Sequence, residues 1–398
     1  MIFPAQEDEN ESPRPTALFD GLASVSTANN WTSINRWVVP RVISKIETEY
    51  IALTEGAALV DLGCLPRYII RGDQAEALLR RISTVPTADL VPGETARGLI
   101  LSSDAQVVDI CDVLRLTESV FMLTASRPCE RRLQLASKGL DVEIEQVTSD
   151  IAALALVGPR ARGIASGTGF DVTSEDVARQ GSVRGVETAV RSILFGRLPS
   201  VEIVFPAAEA LTIWERMNRQ VQLPVAGLAA IEIIRIESGV PRTGVDFTIA
   251  DAGATSDGRM PVELGLPHLA PLNRTWFNGR RHMRALREQE QRQGRKGESG
   301  TRRLVSFSVN ADVVSAGASV RCKDSPVGHV TSAAFSPGLR SAICLADIER
   351  SALAGPFTIE TDASRRCEAQ YLLTQESELA KEFRKREKAA TESFSRAV

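Results

Sequence analysis

Asp109 is the first residue of this 398-residue chain whose setting suggests chemistry, because it interrupts the apolar run Val107-Val108-Asp109-Ile110-Cys111. A carboxylate in apolar surroundings can accept or relay a proton, or stabilise a cation developing on a bound molecule. An acid is costly in such a run unless it has a use. The bland alternative, an aspartate on the solvent face of an edge strand, is permitted by the alternation. Arg235 lies within Ile231-Glu232-Ile233-Ile234-Arg235-Ile236-Glu237. Its guanidinium could hold a carboxylate or carbonyl in a fixed geometry, or form an ion pair with Glu232 or Glu237. Glu263, two residues after Pro261, suits either a pocket wall or the first turn of a helix. Trp276 can pack on a ligand ring or act as a core or lid residue. Cys64 has no activating cation beside it in the sequence, which favours an inert buried thiol over a reactive one.

Other chemistries start at a disadvantage. The three histidines, His268, His282 and His329, are far apart in the sequence, and the six cysteines include no C-x-x-C pair. Zinc, iron-sulfur and disulfide frameworks are therefore disfavoured, and a cytoplasmic location is expected. A net charge of -3 gives no reason to expect a nucleic-acid or membrane-surface partner. No apolar run approaches the length of a membrane span, and no G-x-G-x-x-G follows a strand.

The elements that must position these residues read as a mixed α+β arrangement. Helices are expected at 44–54, 73–82 and 128–137, and strands at 58–60, 67–70, 98–101, 107–115, 120–123 and 152–157. Residues 287–303, REQEQRQGRKGESGTRR, have no aliphatic side chain and read as a linker. Glutamates break up its basic residues and it holds no aromatic for base stacking, so a nucleic-acid patch is disfavoured. The expected organisation is a flexible N-terminus over 1–25, a large body over 26–286, the linker, a β-rich module over 304–375, and a charged helical tail over 376–398. Strands of the module are expected at 304–309, 327–331, 342–345 and 357–360.

Three stretches, in order, resemble the folate-binding aminomethyltransferase family typified by the glycine cleavage T protein. They are Ala58-Leu59-Val60-Asp61-Leu62 with Ile70-Arg71-Gly72-Asp73-Gln74-Ala75; Arg235-Ile236-Glu237-Ser238-Gly239-Val240-Pro241-Arg242 running on to Met260-Pro261-Val262-Glu263-Leu264-Gly265-Leu266; and Gly328-His329-Val330-Thr331-Ser332-Ala333-Ala334-Phe335-Ser336-Pro337. The resemblance implies an aminomethyltransferase-type multi-part fold around a central folate pocket, within 26–286, closed by a C-terminal β-barrel. It also implies tetrahydrofolate as the acceptor of a one-carbon unit from a small-molecule methyl donor. Asp109 falls on the family's catalytic carboxylate, with Ile110 on the second acid of that pair. Arg235 falls where the family places an arginine near the folate, and Glu202, Glu263 and Trp276 complete the implied cofactor set. The N-terminal approach resembles the demethylase branch, which includes dimethylsulfoniopropionate demethylase.

The departures from the family pattern matter as much. The stretch that carries the pterin-gripping acid reads Leu194-Phe195-Gly196-Arg197-Leu198-Pro199-Ser200-Val201-Glu202, with Leu198 at the acid's place and only Glu202 surviving. Leucine cannot accept the pterin's N–H groups. The family's "SHM" turn becomes Gly63-Cys64-Leu65, and its "vvN" strand end becomes Thr124-Ala125. The expectation is a tetrahydrofolate-dependent demethylase of a small methylated compound, with a homo-oligomer left open. The alternative is a folate-fold protein that no longer uses folate, either a ligand- or partner-binding protein or an enzyme with a reshaped pocket.

Overall fold

The computed structural model describes residues 12–172, 178–183, 185–248, 258–273, 276–292, 301–361 and 365–372. At its centre is the strand Ile151–Val157, IAALALV, hydrogen-bonded on both edges within a five-stranded sheet. Its strand order is Arg179–Val183, Val186–Phe195, Leu198–Pro206, Ile151–Val157, Ala58–Asp61. An uninterrupted apolar strand suits a position covered on both faces. The two-residue period divides its side chains between two cores. Ala153, Ala155 and Val157 join one, and Ala152, Leu154 and Leu156 the other.

The first core is built on the helix Leu228–Glu237, which buries Ala230, Ile231, Ile233, Ile234 and Ile236. Apolar residues on nearly every side make it an internal helix rather than a surface one. Glu49 fixes its start by accepting from Gly227 N at 2.9 Å, and a Cβ at Gly227 would lie 2.5 Å from the Arg41 carbonyl oxygen, so only glycine fits.

A second five-stranded sheet has the order Thr95–Leu101, Val107–Arg115, Val120–Ala125, Arg67–Arg71, Glu143–Gln146. One face buries Tyr68, Ile70, Val113 and Leu123 with Leu78, Leu79, Ile82 and Leu133 of the helices Ala75–Ile82 and Glu130–Ala136. The third major unit is a closed six-stranded barrel, Arg302–Val309, Ser341–Glu349, Ser325–Ser336, Ser319–Cys322, Phe357–Glu360, Arg366–Tyr371. In its strand Ser341–Glu349, Ala342, Cys344, Ala346 and Ile348 fill the barrel, while Ile343 and Leu345 pack into the core of Leu228–Glu237. The barrel therefore docks on the body through an apolar outer face.

Where the described residues differ from expectation, packing explains it. Part of the expected flexible N-terminus forms the helix Phe19–Val25, and Leu18 and Leu22 bury it in a core with Trp214. The helix Arg280–Arg292 extends into the expected linker, while 293–300 and the tail 376–398 lie outside the described residues. The strands Asn30–Ile34 and Trp37–Val42 were not expected. No described helix is long and apolar enough to cross a membrane.

Candidate functional site

The two sheets face each other across paired rows of polar side chains. In the second sheet Arg97 pairs in register with Asp112, Asp112 with Thr124, and Thr124 with Arg67, so the four form one row across four strands. In the first sheet Arg191 pairs with Glu202. The charges link into a chain. Arg97 donates to Asp112 through Nε at 2.9 Å and Nη2 at 3.2 Å. Arg191 Nη2 lies 3.6 Å from Asp112, its Nη1 donates to Thr95 at 2.6 Å, and its Nε donates to Glu202. Glu202 Oε1 lies 3.6 Å from Arg67 Nη2 and accepts no hydrogen bond. Arg67, fully buried, donates to the carbonyls of Leu65 and Leu62, both at 3.1 Å. Arg97 and Arg191 together hold the Asp112 carboxyl well below the usual carboxylate range against the cost of burial. It is ionised at any working pH.

A cleft opens on this row, lined by Leu65, Arg97, Ile110, Cys111, Asp112, Thr124, Ala125 and Ser126. Its empty volume is about 280 Å³ when the open solvent at its mouth is counted. The space within it that a water's centre can reach, about 20 Å³, holds about one water molecule.

Asp109 lies three residues before Asp112 in the same strand and does not line this cleft. It is buried and accepts from five donors: Ile110 N at 2.9 Å, Ser126 N at 3.0 Å, Arg127 N at 3.1 Å, Thr243 Oγ1 at 3.0 Å, and Ser126 Oγ. Burial pushes its carboxyl up, while the donors pull it down. With both oxygens occupied, Asp109 fixes the loop after Val120–Ala125 rather than presenting a free oxygen to a ligand.

The other expected site residues are dispersed. Arg235 gives all five of its N–H groups to partners within the chain. Nε and Nη2 go to Glu232, Nη1 to the Val240 carbonyl and Asp246, and Nη2 also to Ser332. It has none left for a folate, and the expected ion-pair partner is Glu232, since Glu237 pairs with Arg197. Glu263 accepts from Met260 N at 2.9 Å and from Arg302 N at 3.4 Å, in a turn rather than in the first turn of a helix. Trp276 is 52% exposed and belongs to no core. Cys64 is fully buried, and burial pushes its thiol well up, which makes it inert. The residues missed were Arg97, Asp112, Arg191 and Arg67. The available signal was a charge inside an apolar strand, as in Arg67-Tyr68-Ile69-Ile70, Ala189-Val190-Arg191 and Ile110-Cys111-Asp112-Val113.

A pterin needs a flat slot and an acceptor for the N–H groups on its edge. At the place expected for that acceptor, Phe195 and Leu198 are cross-strand partners on either side of the Gly196-Arg197 turn. Both are buried in the core of the helix Leu228–Glu237. Gly196 has φ +58, and a Cβ there would lie 2.5 Å from Ser238 Oγ. Glycine at the first central position suits a two-residue hairpin turn, which fixes this pair. The residues present do not fit tetrahydrofolate at this place: the slot is filled with hydrocarbon, and the surviving Glu202 is committed to Arg191.

The GCVT N-terminal domain family matches residues 22–264, and the glycine cleavage T-protein C-terminal barrel domain matches residues 302–375. The chain is 29% identical over 344 residues to a probable aminomethyltransferase of Natronomonas pharaonis, covering 84% of this chain and 90% of that protein. It is 26% identical to an aminomethyltransferase of Caldanaerobacter subterraneus subsp. tengcongensis, covering 79% and 82%. The crystal structure of glycine cleavage system aminomethyltransferase T from Bartonella henselae superimposes with a TM-score of 0.78 at 18% identity, covering 92% of this chain and 99% of that one, a likeness of fold. With both domains matched in order over most of its length, the chain belongs to the glycine cleavage T-protein family.

Proposed function

We propose that this chain is a one-carbon transferase of its family that takes a methyl group from a small methylated compound at the Arg97–Asp112 cleft and passes it to tetrahydrofolate held elsewhere than in the slot that Phe195 and Leu198 fill. The observation that carries the reading is the cleft on the second sheet, with the Arg97–Asp112 ion pair and Thr124 among its lining residues. In this reading Asp112 stays ionised and orients Arg97, Asp109 positions the cleft wall through Ser126 and Arg127, and Leu65 and Ile110 exclude water from the donor. No step is assigned to a pterin in the slot that Phe195 and Leu198 fill.

The test is to incubate the full chain with tetrahydrofolate and, separately, a methylated amine, an aryl methyl ether and a sulfonium compound. Mass spectrometry then follows both the demethylated product and methyl- or methylene-tetrahydrofolate. Transfer from at least one donor is expected, and no transfer from any of them would overturn the proposal. A second reading, a family scaffold that binds a small ligand without folate chemistry, is favoured by the filled slot. Calorimetric titration with tetrahydrofolate separates the two: micromolar binding sinks the second reading, whereas no binding together with no turnover leaves it standing.

A further inference from the structure

Asn35 and Arg36 join the strands Asn30–Ile34 and Trp37–Val42 in a two-residue turn that pairs Ile34 with Trp37, with φ +50 and +67. Asn35 is only 5% exposed. Its Nδ2 donates to the Cys64 carbonyl at 3.0 Å and to the Ser126 carbonyl at 2.9 Å. Two carbonyls at one end of the amide fix which end carries the N–H groups. Cys64 belongs to the connection 62–66 between Ala58–Asp61 of the first sheet and Arg67–Arg71 of the second, and Ser126 follows Val120–Ala125. Leu65 and Ser126 both line the cleft, so one amide ties the hairpin to two stretches of its wall.

The Ser126–Arg127 peptide group is gripped at both ends. Its carbonyl accepts from Asn35, and its N–H, that of Arg127, donates to Asp109 at 3.1 Å. A donor on the carbonyl polarises the group and strengthens the bond that its N–H makes, so each grip supports the other. The turn itself does not need an asparagine side chain, because glycine takes positive φ readily and suits two-residue turns of this kind. The side chain also leaves its Oδ1 buried without a hydrogen bond, a cost that glycine would avoid. What Asn35 adds is its pair of N–H groups.

We propose that Asn35 is a positioning residue of the site: acting through the Ser126–Arg127 peptide, it holds the loop that Asp109 grips from the other side and locks that loop to the connection at Cys64. This deepens the function proposed above and rests on it. Arg67 already holds the connection through the carbonyls of Leu62 and Leu65, so the connection is the fixed post and the loop is the part that Asn35 restrains.

Nuclear magnetic resonance reads the grip without requiring turnover. In the full wild-type chain labelled with 15N-asparagine and assigned by triple resonance, both Nδ2 protons of Asn35 should exchange with solvent about a hundredfold or more slowly than those of the exposed Asn29 and Asn30. Labelling with carbonyl-13C-serine and 15N-arginine isolates the Ser126–Arg127 peptide from all but two other Ser-Arg pairs, Ser364–Arg365 and Ser395–Arg396. In N35G, whose turn suits glycine, the Arg127 amide should exchange about tenfold or more faster, the cost of one hydrogen bond, while the amides of Ile151–Val157 keep their protection. Fast exchange of the Asn35 protons in the wild type, a measurement that stands whether or not N35G folds, overturns the inference. An Arg127 amide unmoved in folded N35G overturns it too. Where one of the methyl donors named above is turned over, kcat/KM of folded N35G should fall about tenfold. Transfer at unchanged kcat/KM would sink the positioning role and leave the transferase reading in place. Slow Asn35 protons and a quickened Arg127 amide, with no transfer from any donor, would do the reverse.

Discussion

Asp109 and Asp112 are three residues apart in one strand and have opposite electrostatic fates. Asp112 is held low by two guanidiniums, and Asp109 is pushed up by burial despite its five donors. The consequences for stability have opposite signs. A carboxyl whose folded pKa lies below its unfolded value contributes stability above the unfolded value and loses it as pH falls through the folded one. Asp112 therefore stabilises the fold above about pH 4 and loses that contribution as acid is added below it. Urea unfolding of D112N at a series of pH values should show a shallower loss of stability on the acid side than the wild type. An unchanged acid limb would rule Asp112 out as its source. A raised carboxyl works the other way: the unfolded chain ionises first as pH rises past about 4, so Asp109 subtracts stability there. Its larger role is as an acceptor. D109N would turn an amide N–H₂ toward donors and should cost about 1–3 kcal/mol in urea unfolding. If Asp109 positions the cleft wall and touches no donor, turnover per folded molecule should fall less than tenfold in D109N. A loss of a thousandfold or more would restore it as the catalytic acid.

The hairpin that joins Val186–Phe195 to Leu198–Pro206 decides what became of the expected folate slot. Its turn pairs Phe195 with Leu198 and directs both into the core of the helix Leu228–Glu237. Replacing Leu198 with the acid that the family pattern expects should therefore not recover a cofactor site. L198E would bury a carboxyl among hydrocarbon, where an unpaired charge is among the costliest substitutions. The expected outcome is a lower Tm and no gain in tetrahydrofolate binding by calorimetry. A stable L198E that binds tetrahydrofolate would show that the slot can open. The same element shows what was legible in the sequence. Apolar periodicity placed Val107–Arg115 and Phe357–Glu360 at their observed ends, and Ile151–Val157 within one residue. Its signal is the core, and these strands are buried. The strands Asn30–Ile34 and Trp37–Val42 escaped notice because the positive-φ pair Asn35-Arg36 that joins them carries no Gly signal. The cleft was hardest to read. It depends on a register that brings Arg97, Asp112, Thr124 and Arg67 into one row from four strands distant in sequence, and no local pattern encodes that row.

Across the whole molecule, residues that match the family and residues that depart from it occupy different places. Matched residues converge where the body meets the barrel. Asp246 accepts from Arg235 at 2.6 Å, from Thr331 Oγ1 at 2.5 Å and from Ser332 Oγ at 2.6 Å. Glu237 accepts from Tyr50 at 2.9 Å, Arg197 at 2.7 Å and Ser336 at 2.5 Å. The residues that carry the resemblance thus clasp two domains, whereas Leu65, Thr124 and Ala125, which break it, line the cleft. A family can keep its architecture through the first set while its substrate changes through the second. The clasp makes a prediction of its own. R235M would leave Asp246, fully buried, without its guanidinium, and removing one partner of a buried ion pair costs about 3–5 kcal/mol. Ile343 and Leu345 still hold the barrel to the helix Leu228–Glu237, so the loss should loosen the junction more than either core. Hydrogen exchange should then quicken first in Ser325–Ser336 and Leu228–Glu237, while Thr95–Leu101 and Val107–Arg115 keep their protection. Uniform quickening through both sheets would mean instead that body and barrel unfold as one cooperative unit and that Arg235 supports the whole of it.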